Sequence, residues 1–114
     1  MAVYDLESRT LKFAIDVKKF TKALPRTIEN IEYIKQLIRS SASIGANYIE
    51  ANESLGQNDK KMKVRISKKE SKESRFFLNL VETDNSISQE DERRYLINEA
   101  TELMNIFGAI LKKI

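Results

Sequence analysis

The sequence predicts an all-α protein, an antiparallel up-down-up-down four-helix bundle formed as one domain over residues 1–114. Three observations lead there. Apolar residues recur at helical spacing in four separate stretches. The single proline, Pro25, and Gly56 fall between stretches, where a chain reversal needs them. The length of 114 residues suits one core, and short connections make consecutive helices antiparallel neighbours.

The first helix spans roughly 5–24 and carries Leu6, Phe13, Val17, Phe20 and Leu24 on one stripe, with Pro25 ending it. Thr27 caps the second helix, 27–55, whose stripe is Ile31, Ile34, Ile38, Ser41, Gly45, Tyr48 and Asn52, and Gly56 fits just past its end. Asn58 caps the third, 58–84, with Met62, Ile66, Phe77 and Leu80 as its apolar face. The stretch "TDNSIS" makes the last turn, and Ser88 with Asp91 three residues on resembles a capping box. Helix four, 88–113, then presents Leu96, Ala100, Leu103, Phe107, Ile110 and Ile114.

Composition excludes several chemistries. The chain has no cysteine, hence no disulfide, thiolate nucleophile or cysteine-bound zinc. It has no histidine, the usual general base near neutral pH and the commonest metal ligand. The expectation is a protein that is not an enzyme and carries no cofactor and no metal. The opening "MAVYDLESRT" is polar and acidic, unlike a secretory signal, and no apolar run approaches the roughly 18–20 residues of a membrane span. A cytoplasmic protein without a membrane partner is expected. The net charge is +3, unevenly spread: Lys60 to Arg75 holds eight Lys/Arg against two Glu.

Advancing 100° per residue places Glu70 and Glu73 within about 40° of Ile66, Glu99 about as close to Leu103, and Arg9 in line with Leu6 and Phe13. Matching heights through the turns brings these residues level with the small residues Ser41 to Gly45 of helix two. The reading is a buried charge layer of Arg9, Ser41, Glu70, Glu73 and Glu99, with helix two kept slender to make room and Lys69, Arg65 or a protonated glutamate reducing the excess negative charge. A carboxylate metal site of the kind ferritin-like bundles build is the competing reading. It lacks the histidine of the Glu-x-x-His pattern, and Arg9 takes the place of the cation.

Two helices carry apolar residues beyond one face. Tyr4, Leu11 and Ile15 on helix one, and Tyr33, Leu37, Ile44, Ala51 and Leu55 on helix two, form second stripes that predict a homo-oligomer interface. Asn47 and Glu50 lie furthest from the expected core, as solvated or interfacial polar groups. On helix three, Lys61, Lys68, Lys72 and Arg75 line up as one outward ridge bordered by Val64 and Leu78, with no aromatic residue beside it. Such a ridge fits phosphate contacts read by charge and shape rather than base stacking.

The stretches "IRSSASIGANYIEA" (Ile38–Ala51) and "RISKKESKESRFFLNL" (Arg65–Leu80) resemble the bacterial four-helix-bundle family first noted in proteins encoded by intervening sequences of ribosomal RNA genes. The accessory variability protein of diversity-generating retroelements is similar to that family. The resemblance implies a barrel-shaped homopentamer and, by way of the retroelement relative, RNA or DNA and a reverse transcriptase as partners of basic surfaces. Family members often carry Tyr-Trp where this chain has Phe76-Phe77. The combined expectation is a non-enzymatic oligomeric bundle that binds nucleic acid weakly through helix three. A protein-docking scaffold is the alternative.

Overall fold

The computed structural model describes residues 3–114, with side chains from Asp5 onward. Four helices follow in order: α1 (Val3–Lys22), α2 (Ile28–Asn52), α3 (Gln57–Leu80) and α4 (Ile87–Lys113). Each packs on its neighbours in the cycle α1–α2–α3–α4–α1, and across the diagonal the Tyr48 ring of α2 meets Phe107 of α4, centroids 5.6 Å apart. This is the expected up-down-up-down four-helix bundle, 45 × 25 × 19 Å. Among the described residues there is no strand, and no helix is long and apolar enough to cross a membrane.

On α1 the buried face is Leu6, Phe13, Val17 and Phe20, continued by Leu24 just past the helix end, and on α4 it is Leu96, Ala100, Leu103 and Phe107. Both match the spacing of large apolar residues. On α2 and α3 the core face lies elsewhere. α2 buries Ile34, Leu37, Ser40, Ser41, Ile44, Tyr48 and Ala51, leaving Ile31 and Ile38 exposed. α3 buries Val64, Ser67, Glu70, Ser71, Ser74 and Leu78, while Met62, Phe76 and Leu80 are exposed and Ile66 is half-buried.

The cause is a serine seam. Ser74 Oγ donates to Ser40 Oγ at 2.9 Å, Ser67 Oγ donates to the Ile44 carbonyl at 2.9 Å, and Ser71 Oγ donates to the Ser67 carbonyl at 2.8 Å. Each hydroxyl is satisfied inside the seam, so burial carries no unpaired-donor penalty, and short side chains let the helices lie close. A face built of serine has no large apolar residue to mark it. On the other side of α2, Gly45 meets α1: a Cβ there would lie 2.8 Å from Thr10 Oγ1.

The turns differ from expectation in detail. Thr27 caps α2 by accepting from the Asn30 N–H at 3.1 Å, as its sequence position predicts. Gly56 is the N-cap of α3, with extended backbone at φ −120, rather than the residue closing α2, and Asn58 lies inside α3 instead of capping it. α4 is capped by Ser86, which accepts from Gln89 N–H at 3.1 Å, two residues before the Ser88 expected there. α3 ends at Leu80, short of 84, because Val81 turns extended and the Glu82 N–H donates to Asn30 Oδ1 at 2.7 Å. Asn85 supplies the left-handed residue of this turn at φ 66, a conformation asparagine tolerates. Buried Asn30 also donates to the Pro25 and Glu82 carbonyls at 2.9 and 2.8 Å, fastening two turns together at one end of the bundle.

Candidate nucleic-acid interface and its flanking seams

The acidic residues expected in one layer divide between two seams. Arg9 on α1 forks onto Glu99 of α4, with Nε and Nη2 donating to the two carboxylate oxygens at 2.7 and 2.8 Å, and Glu102 lies 3.4 Å away. On the α2–α3 seam, Arg39 Nη1 donates to Glu70 at 2.9 Å and Nη2 to Glu73 at 2.6 Å. Thr10 beside Gly45 and Glu7 bonded to Asn52 set Arg9 about two helical turns from the level of Arg39. A single central charge layer is therefore corrected to two clamps at the edges of the bundle. Ser41 joins neither, since its hydroxyl donates to the Ile38 carbonyl at 3.2 Å.

Arg39 is the cation that sequence reasoning missed, having sought it in Lys69 or Arg65. Its signal was its height opposite Glu73 on the antiparallel neighbour. The Glu70 side chain is 8% exposed. Burial pushes its carboxyl above the usual range, Arg39 pulls it down, and Glu73 adds to the upward push. Hydrogen bonding raises both guanidinium pKa values further, from Glu99 at Arg9 and from Glu73 at Arg39. Among the described residues no group of three or more Asp and Glu is placed to hold a metal ion.

With both acids of α3's basic stretch turned to α2, Lys68 and Arg75 of the ridge lie toward α4, while Lys72 stands at the outer edge of the α2–α3 groove. Arg75 Nη1 donates to Thr101 Oγ1 at 3.3 Å, and Lys68 passes Gly108, its Nζ 3.7 Å from where a Cβ would stand. Lys68 and Lys72 are exposed, while Lys61 and Arg75 are half-buried. None of the four lies within 4.0 Å of a carboxylate among the described residues, whereas Lys63, on the α2 side, pairs with Glu50 at 3.3 Å. From Lys61 to Arg75 the ridge runs about 21 Å.

Two details of the expected surface change. Val64 and Leu78 do not border the ridge; both are fully buried. An aromatic residue does adjoin it: Phe76, 60% exposed, stands one turn beyond Lys72 and shares a groove with Lys69 and Lys72.

The predicted interface residues separate in the same way. Leu37 and Ile44 are 0% exposed and belong to the core, as does Ala51, and Tyr33 packs against that core. Leu11, Ile15 and Leu55 are exposed. The Tyr4 side chain lies outside the described residues. Ile38, 44% exposed, lines an apolar depression between α1 and α2 with Ala14, Ile15 and Ala42. Asn47 donates to the Ser43 carbonyl at 2.9 Å rather than reaching outward.

The fold is thus an all-α four-helix bundle with a serine-lined seam, two arginine-clamped acidic pairs, and a basic ridge that meets no acid among the described residues. The model of the 23S rRNA-intervening sequence protein family matches residues 4–109, and the chain belongs to that family. Its fold is similar to a crystal structure from Bacteroides thetaiotaomicron VPI-5482, described as a protein of unknown function from the S23 ribosomal protein family. The two chains share 28% identity, with a TM-score of 0.83 over 98% of this chain and 99% of that one. No match is found among curated proteins.

Proposed function

We propose that this chain is a non-enzymatic, self-associating helical bundle that binds RNA or DNA weakly through the α3 ridge. The observation that carries this reading is the segregation of charge on α3. Glu70 and Glu73 face α2 and are held by Arg39. Lys68 and Arg75 reach toward α4, and Lys72 stands at the outer edge of the α2–α3 groove. None of Lys61, Lys68, Lys72 and Arg75 pairs with an acid among the described residues. Cations spaced along about 21 Å of rigid helix match a phosphate backbone, release its counterions and carry no base code.

Self-association rests on a different observation. Leu11, 62% exposed, with Ile15, Ile38 and Ile49 makes an apolar strip on the α1–α2 side, away from the ridge. The homopentamer that resemblance to the family implies extends this reading to an assembly in which the ridge is repeated and weak contacts add by multivalency. The same strip supports the alternative reading of a scaffold that docks a protein such as a reverse transcriptase. The Arg9 and Arg39 clamps disfavour a carboxylate metal site, because each acid already faces a guanidinium.

Retention of mixed RNA and DNA oligonucleotides, followed as salt rises, tests the reading. It predicts weak retention with little sequence preference, lost steeply with salt and abolished by Lys68→Glu with Lys72→Glu. Retention indifferent to both changes contradicts it.

A further inference from the structure

Resting on that reading, we infer that the groove between α2 and α3 selects single-stranded nucleic acid, with Phe76 as the platform on which an unpaired base stacks and Lys69 and Lys72 holding the adjoining phosphates. The groove has a volume of about 610 Å³ and is lined by Arg39, Lys69, Glu70, Lys72, Glu73, Phe76 and Phe77.

Three features carry the inference. Phe76 is the large aromatic ring that α3 leaves in water, and Phe77 fixes its position: the rings meet edge to face, centroids 5.3 Å apart at 82°, while Phe77 packs against the core. An anchored ring loses little freedom when a base covers it. Lys69 and Lys72 lie on the same side of α3, about two turns and one turn before Phe76, and neither is paired with an acid. Arg39 donates to both Glu70 and Glu73, and with Lys69 and Lys72 the groove sets three cations against two carboxylates, so a polyanion entering it meets net positive charge. A ring flanked by cations is what a single strand, with exposed base faces, can use. A duplex hides those faces in its stack.

Fluorescence anisotropy with three probes of equal length tests this: an oligothymidylate of about 12 nucleotides, an abasic strand of the same charge, and a duplex. The wild type is expected to bind the thymidylate strand about 5- to 150-fold more tightly than the abasic strand. Phe76→Ala should erase that difference while leaving abasic and duplex binding unchanged, and Phe76→Tyr should retain it. Lys68→Glu with Lys72→Glu should weaken all three. Equal, salt-sensitive binding of thymidylate and abasic strands overturns the stacking inference alone. No salt-sensitive binding to any probe overturns it together with the proposed function. A change in assembly mass of Phe76→Ala by light scattering also overturns it, by making Phe76 a subunit contact.

Discussion

Gly45 shows how one atom decides a helix seam. A methyl group would gain up to about 1 kcal/mol of helix propensity, yet it would sit 2.8 Å from Thr10 Oγ1, whose hydroxyl already donates to the Glu7 carbonyl. Overpacking outweighs propensity, so Gly45→Ala should destabilise the protein by about 1–3 kcal/mol, and Thr10→Ala in the same chain should recover part of the loss. Denaturant unfolding checks both, and a Gly45→Ala variant more stable than wild type would contradict the close approach. Glu70 offers a test with a sign. Its folded-state pKa is raised, mainly by burial, so the native state holds the proton more tightly than the unfolded chain does. That contribution is full below the unfolded pKa of about 4.5 and is lost as pH rises through the folded value. Glu70→Gln lacks this loss, and its stability relative to wild type should rise between pH 4 and pH 7. A relative stability that falls over the same interval would mean that pairing with Arg39 outweighs burial. The Arg9 and Glu99 positions were legible in the sequence because both lie among large apolar residues on their helices. Arg39 was not, because the core faces of α2 and α3 are rotated away from their largest apolar residues.

At the scale of the element, legibility followed the size of the buried side chains. α1 and α4 mark their inner faces with Phe and Leu, and their stripes read directly. α2 and α3 meet through Ser40, Ser67, Ser71 and Ser74, so the larger residues at the margins drew the reading off the core and made Leu37 and Ile44 look external. Heights along this pair survived the error, since Ser74 does meet Ser40 and Ser67 meets Ile44. The seam makes a contrast that can be measured. Replacing Ser40 and Ser74 together by Ala removes both partners of a buried bond and should change stability little. Asn30→Ala instead strands the Glu82 N–H and the Pro25 and Glu82 carbonyls, and should cost about 1–3 kcal/mol in denaturant unfolding. Equal losses in the two variants would contradict the fastening of the turns by Asn30. The turn at Ser86 was misplaced by two residues because Ser86 and Ser88 offer the same capping chemistry. Tertiary bonding of the turn, including Gln89 accepting from the Asp84 N–H and donating to the Ala23 carbonyl, chooses between them.

Across the described residues, the bundle sorts its surfaces by side: paired acids toward the α2–α3 and α1–α4 seams, apolar residues along α1–α2, and cations without an acid partner along the outer face of α3. The fold class was fully legible, being a matter of four periodic stretches and short turns. The surfaces were legible on α1 and along the α3 ridge, where Leu11, Ile15, Lys68 and Lys72 are exposed as expected, and misread on α2, where Leu37 and Ile44 lie in the core. If the α1–α2 strip joins subunits, Ile15→Glu with Ile38→Glu should reduce the mass seen by light scattering without unfolding the helices. An unchanged mass would remove that strip from the interface. The central claim is that nucleic acid is bound by the charge of α3, and the salt dependence of affinity tests it most directly. Log affinity should fall linearly with log salt for the wild type. In Lys68→Glu and Lys72→Glu the slope should become shallower by about one for each phosphate no longer neutralised, at unchanged assembly mass. Slopes identical in wild type and variants would contradict it.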